Sequence, residues 1–329
     1  MRIGVTGASG FIGNHLVRFL LERGDRPVAL LERGTDARAL ADLSGRYDER
    51  WGDLLDRASL DAFVKGCDRV IHLAGVNRYW ADDPSVFERV NVEGARNVAE
   101  ACLAHGVEKL VHASSCITLG ASDRPVLRDE DSPFNLGDLD FAYATTKKAG
   151  EEEMKRLARE RGLPVVIVHP TSAIGEMDHG PTPIGKPVAD IARGLWPVYV
   201  AGGACFIDVK DAVRGIWLAL ERGAAGRQYV LAGENLSNRE FISLVADVAG
   251  APRPRVKVPR ACLALLAGGL EWTADHLTRR HPAVTRSMAR LVGRYLYFDG
   301  RRAREELGFE AGPVRGAIER AVRWFRAAA

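Results

Sequence analysis

Arg2-Ile3-Gly4-Val5-Thr6-Gly7-Ala8-Ser9-Gly10-Phe11-Ile12-Gly13 opens the chain and decides its fold. The apolar run from Arg2 to Val5 reads as a buried strand. From Asn14 to Arg23 the spacing turns helical, with Leu16, Phe19 and Leu20 on one side. A strand, a glycine turn and a helix in that order are what a dinucleotide fingerprint requires. Gly7 lets the chain turn sharply, Gly10 lets the backbone approach a pyrophosphate, and Gly13 lets helix and strand pack closely. The helix mouth then offers N–H groups and a positive dipole end to the phosphates. Gly7, Ser9, Gly10, Phe11, Ile12 and Gly13 are the expected cradle. Their spacing, G-x-x-G-x-x-G, is looser than G-x-G-x-x-G.

The next segments extend the same reading. A second strand, Pro27 to Leu31, ends at Glu32-Arg33. An acid there bonds the adenosine ribose hydroxyls and favours NAD. Arg33 could instead clasp the extra phosphate of NADP, so the two residues argue against each other. A third strand-like segment ends at Gly52-Asp53-Leu54, where Asp53 is placed to accept from the adenine amino group. Val70-Ile71-His72-Leu73-Ala74-Gly75 reads as a fourth strand running into small residues that let a cofactor lie against backbone. His72, inside that apolar run, reads as a core histidine.

Strands alternate with helical patterns to about Pro170, the signature of an α/β, Rossmann-type, doubly wound parallel sheet. Residues 1–175 form the expected nucleotide domain, with 206–234 returning to it. Residues 176–205 and 235–329 form a smaller, interleaved substrate lobe. In the returning segment a helix is expected from Ala212 to Glu221 with Asp211 as cap. Ser237 and Glu240 form a capping box for another helix. The helix from Arg260 to Trp272 reads as core packing, although its leucines would also suit a lipid or membrane. The arginines of residues 251–304 read as a solvated face.

Tyr143 and Lys147 carry the chemistry. Four residues apart on a helix, they lie on one face, one turn apart. A phenol titrates near ~10, and a neighbouring cation pulls that value down. Working at neutral pH needs a shift of about three units, roughly 4 kcal/mol, more than one cation supplies. A nicotinamide ring is the expected second cation.

Composition sets the bounds. A net charge of +3 over 329 residues gives no argument for nucleic acid, and no apolar run is long enough for an integral membrane segment. Cys67, Cys102, Cys116, Cys205 and Cys262 are scattered without C-x-x-C. That pattern predicts reduced thiols, no metal site and a cytoplasmic protein without a signal peptide. Cys116 reads as a small apolar filler.

Taken together, the chain resembles an extended short-chain dehydrogenase/reductase of the NAD-dependent epimerase/dehydratase family. The resemblance rests on Thr6-Gly7-x-x-Gly10-x-x-Gly13, Asp53-Leu54, Leu73-Ala74-Gly75, Asn91-Val92-Glu93-Gly94, Ser114-Ser115, Tyr143-x-x-x-Lys147 and His169-Pro170-Thr171. Asn77-Arg78-Tyr79-Trp80, Gly233-Glu234-Asn235-Leu236-Ser237 and Tyr297-Phe298-Asp299 are similar to the dihydroflavonol-reductase-like group and its hopanoid-associated sugar epimerases.

The resemblance implies that Ser115 joins Tyr143 and Lys147 in catalysis, with Ser114 as the alternative for that hydroxyl. It implies that Asn91 orders its helix and the cofactor, and that Pro170 and Thr171 border the nicotinamide. Asn77, Arg78, Tyr79, Trp80, the stretch from Met177 to Pro183 and the region near Trp196 are the expected pocket, around a small-molecule substrate that also meets Ser115. It implies a homodimer through the helices carrying Asn91 and Tyr143. Cys116 and Ile117 stand where a sugar 4,6-dehydratase carries an acid/base pair, which argues against dehydration. Three activities remain open from the sequence: an NAD(P)-dependent oxidoreductase, a sugar epimerase using the same residues, and a non-catalytic nucleotide sensor.

Overall fold

A computed structural model describes residues 1–195, 198–280, 282 and 284–327. Trp196 lies outside the described residues. The apolar runs become parallel strands buried on both faces, as helical crossovers require, while the polar edge strand β3 stays largely exposed. They are β1 (Arg2–Thr6), β2 (Arg26–Leu31), β3 (Asp48–Trp51), β4 (Arg69–His72), β5 (Lys109–Ala113) and β6 (Val165–Pro170). After β6 come β7 (Ser172–Ile174), β8 (Val198–Tyr199), β9 (Gly203–Asp208) and β10 (Gln228–Leu231). The last strands are β11 (Glu234–Ser237), β12 (Val256–Lys257) and β13 (Tyr295–Leu296). The main sheet runs β10-β6-β5-β4-β1-β2-β3 and is parallel throughout. This is the expected Rossmann-type order.

Helices α1 (Phe11–Glu22), α2 (Arg57–Val64), α3 (Ser85–Glu88), α4 (Ala95–Ala104) and α5 (Ala142–Arg161) belong to the first half. Helices α6 (Gly185–Ala192), α7 (Val209–Arg222), α8 (Asn238–Ala249), α9 (Arg260–Thr273), α10 (Arg286–Leu291) and α11 (Arg315–Ala327) follow. One face of the sheet buries Leu16 and Leu20 of α1 against Ile216 and Leu220 of α7. The other face buries α2, α4 and α5 through Phe63, Val98 and Met154. A separate core of Ile191, Phe241, Val245, Ile318 and Phe325 holds α6, α8 and α11 together.

The structure differs from the sequence reading at four places. α1 begins at Phe11, inside the glycine motif, because apolar periodicity is silent where glycines carry the turn. α7 begins at Val209, capped by Asp208, whose carboxylate accepts from the Lys210 N–H at 3.0 Å. Asp211 instead accepts from the Gly312 N–H at 2.8 Å and fastens the C-terminal segment. The return to the main sheet starts with α7, not at residue 206, because Gly203–Asp208 pairs with β7, β11 and β13 in a second sheet. Lastly, α9 is not core: Ala267 is its one buried residue, while Leu265 and Leu266 are 81% and 52% exposed. The capping box at Ser237 and Glu240 is present on α8.

Candidate active site

Parallel strands deliver their loops to one edge of the sheet, and the site forms there. The order reverses between β1 and β4, which opens a crevice at their carboxyl ends. Gly7 takes a left-handed φ of 69°, and a Cβ on it would lie 2.7 Å from the Ala74 nitrogen. A Cβ on Gly13 would lie 2.0 Å from the Gly7 carbonyl oxygen. No side chain caps the α1 N-terminus. A backbone-lined turn opening into an uncapped helix fits a dinucleotide pyrophosphate.

Thr6 ties the two halves of the crevice. Its Oγ1 lies 2.7 Å from His72 Nδ1 and accepts from the Ala74 N–H at 3.1 Å. His72 is therefore a partnered core histidine, and burial, with the Lys147 charge, holds its pKa down at about 3. Glu32 and Arg33 are exposed just past β2, and Asp53 is exposed past β3. The strand order puts all three beyond β1, on the side away from Tyr143. Asp53 Oδ1 accepts from the Leu55 N–H at 2.9 Å, and the Leu54 carbonyl accepts from Asn97 at 3.0 Å.

Tyr143 and Lys147 occupy the first turns of α5, both buried. Lys147 Nζ donates to the Ala113 carbonyl at 2.8 Å. A Cβ on Gly75 would lie 3.6 Å from that nitrogen, so the lysine sits against the small-residue turn after β4. Ser115 caps a short 3-10 turn, Cys116–Leu119, at the end of β5. Its hydroxyl lies on the Tyr143 side and favours the ionised phenol. Ser114 is committed elsewhere, donating to Glu151 Oε2 at 2.9 Å. The geometry thus separates the two serines.

The electrostatics correct one expectation. Burial pushes the Tyr143 phenol well above its usual range, and Ser115 opposes this only in part. Lys147 does not pull it down: burial lowers the lysine itself to about 8, against the attraction of Glu151, and its ammonium faces a carbonyl. In the cofactor-free protein the phenol is held protonated.

Beneath these residues lies a cluster that the motifs did not flag. Glu151, fully buried, follows Lys147 by one helical turn. Its Oε1 accepts from Lys148 at 2.8 Å and Lys155 at 2.6 Å, and its Oε2 accepts from Ser114 and from Thr118 at 2.7 Å. His169 Nδ1 lies 3.2 Å from both Thr118 Oγ1 and the Ser115 carbonyl. Burial opposes ionisation of Glu151, but His169, Lys155 and Lys148 outweigh it and hold the carboxyl below its usual range. Burial also lowers His169, so at neutral pH the lysines hold the charge. The repeat of one turn, Tyr143, Lys147, Glu151, was the available signal.

Asn91 sits in a π-helical segment, Arg89–Gly94. Its Oδ1 accepts from the Val76 N–H at 2.8 Å and its Nδ2 donates to Thr146 Oγ1 at 3.0 Å, which ties α5 to the loop after β4. Past β6, Thr171 Oγ1 donates to the Leu231 carbonyl at 3.0 Å. Tyr79 forms an aromatic wall: its ring lies 5.0 Å from Phe141 and 6.0 Å from Tyr143. Trp80 Nε1 donates to Asp275 at 2.9 Å, and Asn77 is exposed on the same loop. Met177 belongs to a different loop, in a left-handed backbone beside Glu176. That loop is held by Lys210 and Arg320 at 2.9 and 2.8 Å. Cys116 is buried, and burial raises its thiol to about 12, as suits a packing residue.

The family model for the NAD dependent epimerase/dehydratase family matches residues 3–232. The chain belongs to that family. It is 32% identical over 98% of its length to sterol demethylase protein B of Methylococcus capsulatus, spanning 97% of that protein. It is also 32% identical over 98% of its length to a putative dihydroflavonol 4-reductase of Synechocystis, spanning 94% of it. A dTDP-glucose 4,6-dehydratase of Streptomyces venezuelae, solved with NAD, superposes with a TM-score of 0.79 at 26% identity, covering 99% of this chain and 97% of that one. As a member of this family of reductases, dehydratases and epimerases, the chain is an enzyme of the extended short-chain dehydrogenase/reductase class.

Proposed function

We propose that the enzyme interconverts a carbonyl and an alcohol on a small molecule, using NAD in preference to NADP. The observation that carries this reading is the grouping of buried Tyr143 and Lys147 with half-buried Ser115 at the mouth of the glycine-lined crevice. When bound, the nicotinamide ring supplies or accepts the hydride. Ser115 donates to the substrate oxygen and holds it beside the phenol. Tyr143 gives that oxygen a proton or takes one from it. Lys147, fixed by Ala113, holds the ribose side of the crevice. Gly7, Ser9, Gly10, Phe11, Ile12 and Gly13 hold the pyrophosphate, with Leu73, Ala74 and Gly75 against the cofactor's flank. Glu32 accepts from the adenosine ribose, Asp53 and Leu54 meet the adenine, and Pro170 and Thr171 border the nicotinamide. Asn91 acts through Thr146, positioning α5. Tyr79 forms the apolar side of the substrate cleft, which suits a substrate with an apolar body.

Tyr143→Phe is the test. On a turned-over substrate it lowers kcat/KM by about 100-fold or more, the scale of a lost general acid, without loss of nucleotide binding. Turnover within a few fold of wild type would refute the relay. An epimerase would use the same side chains. It is distinguished by converting substrate with no net change in nicotinamide absorbance.

A further inference from the structure

Among the described residues, exposed large apolar side chains gather on α9 and the turn after it: Leu265, Leu266, Trp272 and Leu277. Residues 261–270 carry no charge. On this helix the inward stripe is Leu263, Ala267, Leu270 and Ala274, spaced at one helical turn. The outward stripe is Ala261, Leu265, Gly269 and Trp272, with Leu266 alongside. Trp272 is 54% exposed and Leu277, one turn further, 70%. A helix apolar on its exposed side is unusual for a globular surface and marks an interaction face.

The charges around this face are mainly basic, with the acids Glu271, Asp275, Asp82 and Asp123 among them. Arg255 and Lys257 stand before the helix, Arg260 opens it, and Arg279 and Arg280 follow it, all exposed. Lys257, Arg260 and Arg294 also line a cleft of about 470 Å³ at its N-terminal end. The nearby acids are already engaged. Glu271 pairs with Arg286 at 3.2 Å, Asp82 with Arg279 at 3.1 Å, and Asp275 accepts from Trp80. The face also adjoins the active site. Ser287 and Arg290 of α10, which packs on α9, reach the Asp140 and Leu139 carbonyls, while Asp275 and Arg279 hold the loop that bears Tyr79.

We propose that α9 and the turn after it dock on an anionic lipid surface, the helix lying in the plane of the headgroups. An apolar stripe with a basic rim is the chemistry such a surface selects. At 14 residues the helix is about 21 Å long, too short to span a bilayer and long enough to lie on one. A second copy is the poorer occupant, because a two-fold contact through this face would set the basic rims against each other.

The test uses the full chain with vesicles of phosphatidylglycerol mixed into phosphatidylcholine, against phosphatidylcholine alone. The protein sediments with the anionic vesicles and not with the neutral ones. Leu265→Ser with Leu266→Ser and Trp272→Ser abolishes sedimentation. Lys257→Gln with Arg260→Gln, Arg279→Gln and Arg280→Gln weakens it at least about tenfold. Cys262, the exposed cysteine on α9, provides a second readout in the otherwise wild-type chain. A polarity-sensitive thiol dye there shifts to the blue on adding anionic vesicles. No sedimentation and no dye shift would overturn the proposal. So would concentration-dependent dimerisation abolished by the serine variant, which would show that a second copy covers the face. Neither readout depends on turnover, so the proposal stands or falls apart from the assigned chemistry.

Discussion

Helices α5 and α9 invert the usual relation between charge and burial. α5 reads as one of the most polar stretches of the chain, yet it buries Tyr143, Lys147 and Glu151. α9 has no charge across residues 261–270, yet it buries one alanine. The difference lies in partners. The buried polar groups beyond Tyr143 on α5 have them: Lys147 has the Ala113 carbonyl, Glu151 has two ammonium groups and two hydroxyls, Thr146 has Asn91. Burying charge is tolerable only on those terms. The outward leucines of α9 have no such partners within the described residues, so the face is left for something outside the chain. On the proposals above, one helix serves chemistry and the other contact.

Breaking α5 at Tyr143 gives the largest effect, the loss of about 100-fold or more in kcat/KM described above. Breaking its lower turn acts on the fold instead. Glu151→Ala leaves Ser114, Thr118 and two lysines without their acceptor and costs on the order of 3 kcal/mol, read as a lower midpoint in urea. Since Glu151 titrates below its usual range in the folded protein, its stabilisation is complete above the ordinary carboxylate pKa. It is lost as pH falls through the depressed folded value. The variant's deficit should therefore shrink in acid; a deficit constant down to strongly acid pH would contradict the network.

Lys147 sharpens the contrast at the alkaline end of the pH scale. Its folded pKa of about 8 lies below the ordinary 10.5, so the unfolded chain binds more protons between those values. Stability then rises with pH across that window, and the charged lysine is a cost below it. Thermal scans of wild type and Lys147→Met should converge as pH rises from about 8 and differ most below it. The smallest effect belongs to the exposed rim. Glu32→Gln should raise the preference for NADP over NAD by a few fold, about 1 kcal/mol, because it removes a charge that repels the 2′-phosphate. An unchanged ratio of kcat/KM for the two nucleotides would clear Glu32 of that role.

The nucleotide half was legible in the sequence because its constraints are local. Gly7 is where only glycine tolerates a left-handed turn against Ala74, and the β1, β2, β4 and β5 runs read as strands from apolar continuity alone. The proposed trio of Ser115, Tyr143 and Lys147 rests on equally local signals, one turn of helix plus a strand end. The Glu151 cluster was not legible, because its members Ser114, Thr118, Glu151 and His169 are scattered and meet only through the sheet. The exposure of α9 was hidden for a complementary reason. An apolar helix predicts burial, and no sequence pattern announces that its partner is missing. The Tyr143 phenol was misjudged because spacing brings Lys147 close but says nothing of the Ala113 carbonyl that claims its ammonium.

That last point leads to the decisive measurement. Carbon-13 labelled tyrosine, assigned with Tyr143→Phe, reports the ionisation of Tyr143 as pH is raised, with and without NAD in its oxidised form. The account predicts a phenol that stays protonated past its ordinary range in the free enzyme and titrates at least about two units lower with the nucleotide bound. A Tyr143 signal that does not move when saturating NAD is added would contradict the claim that this phenol and that cofactor share one site.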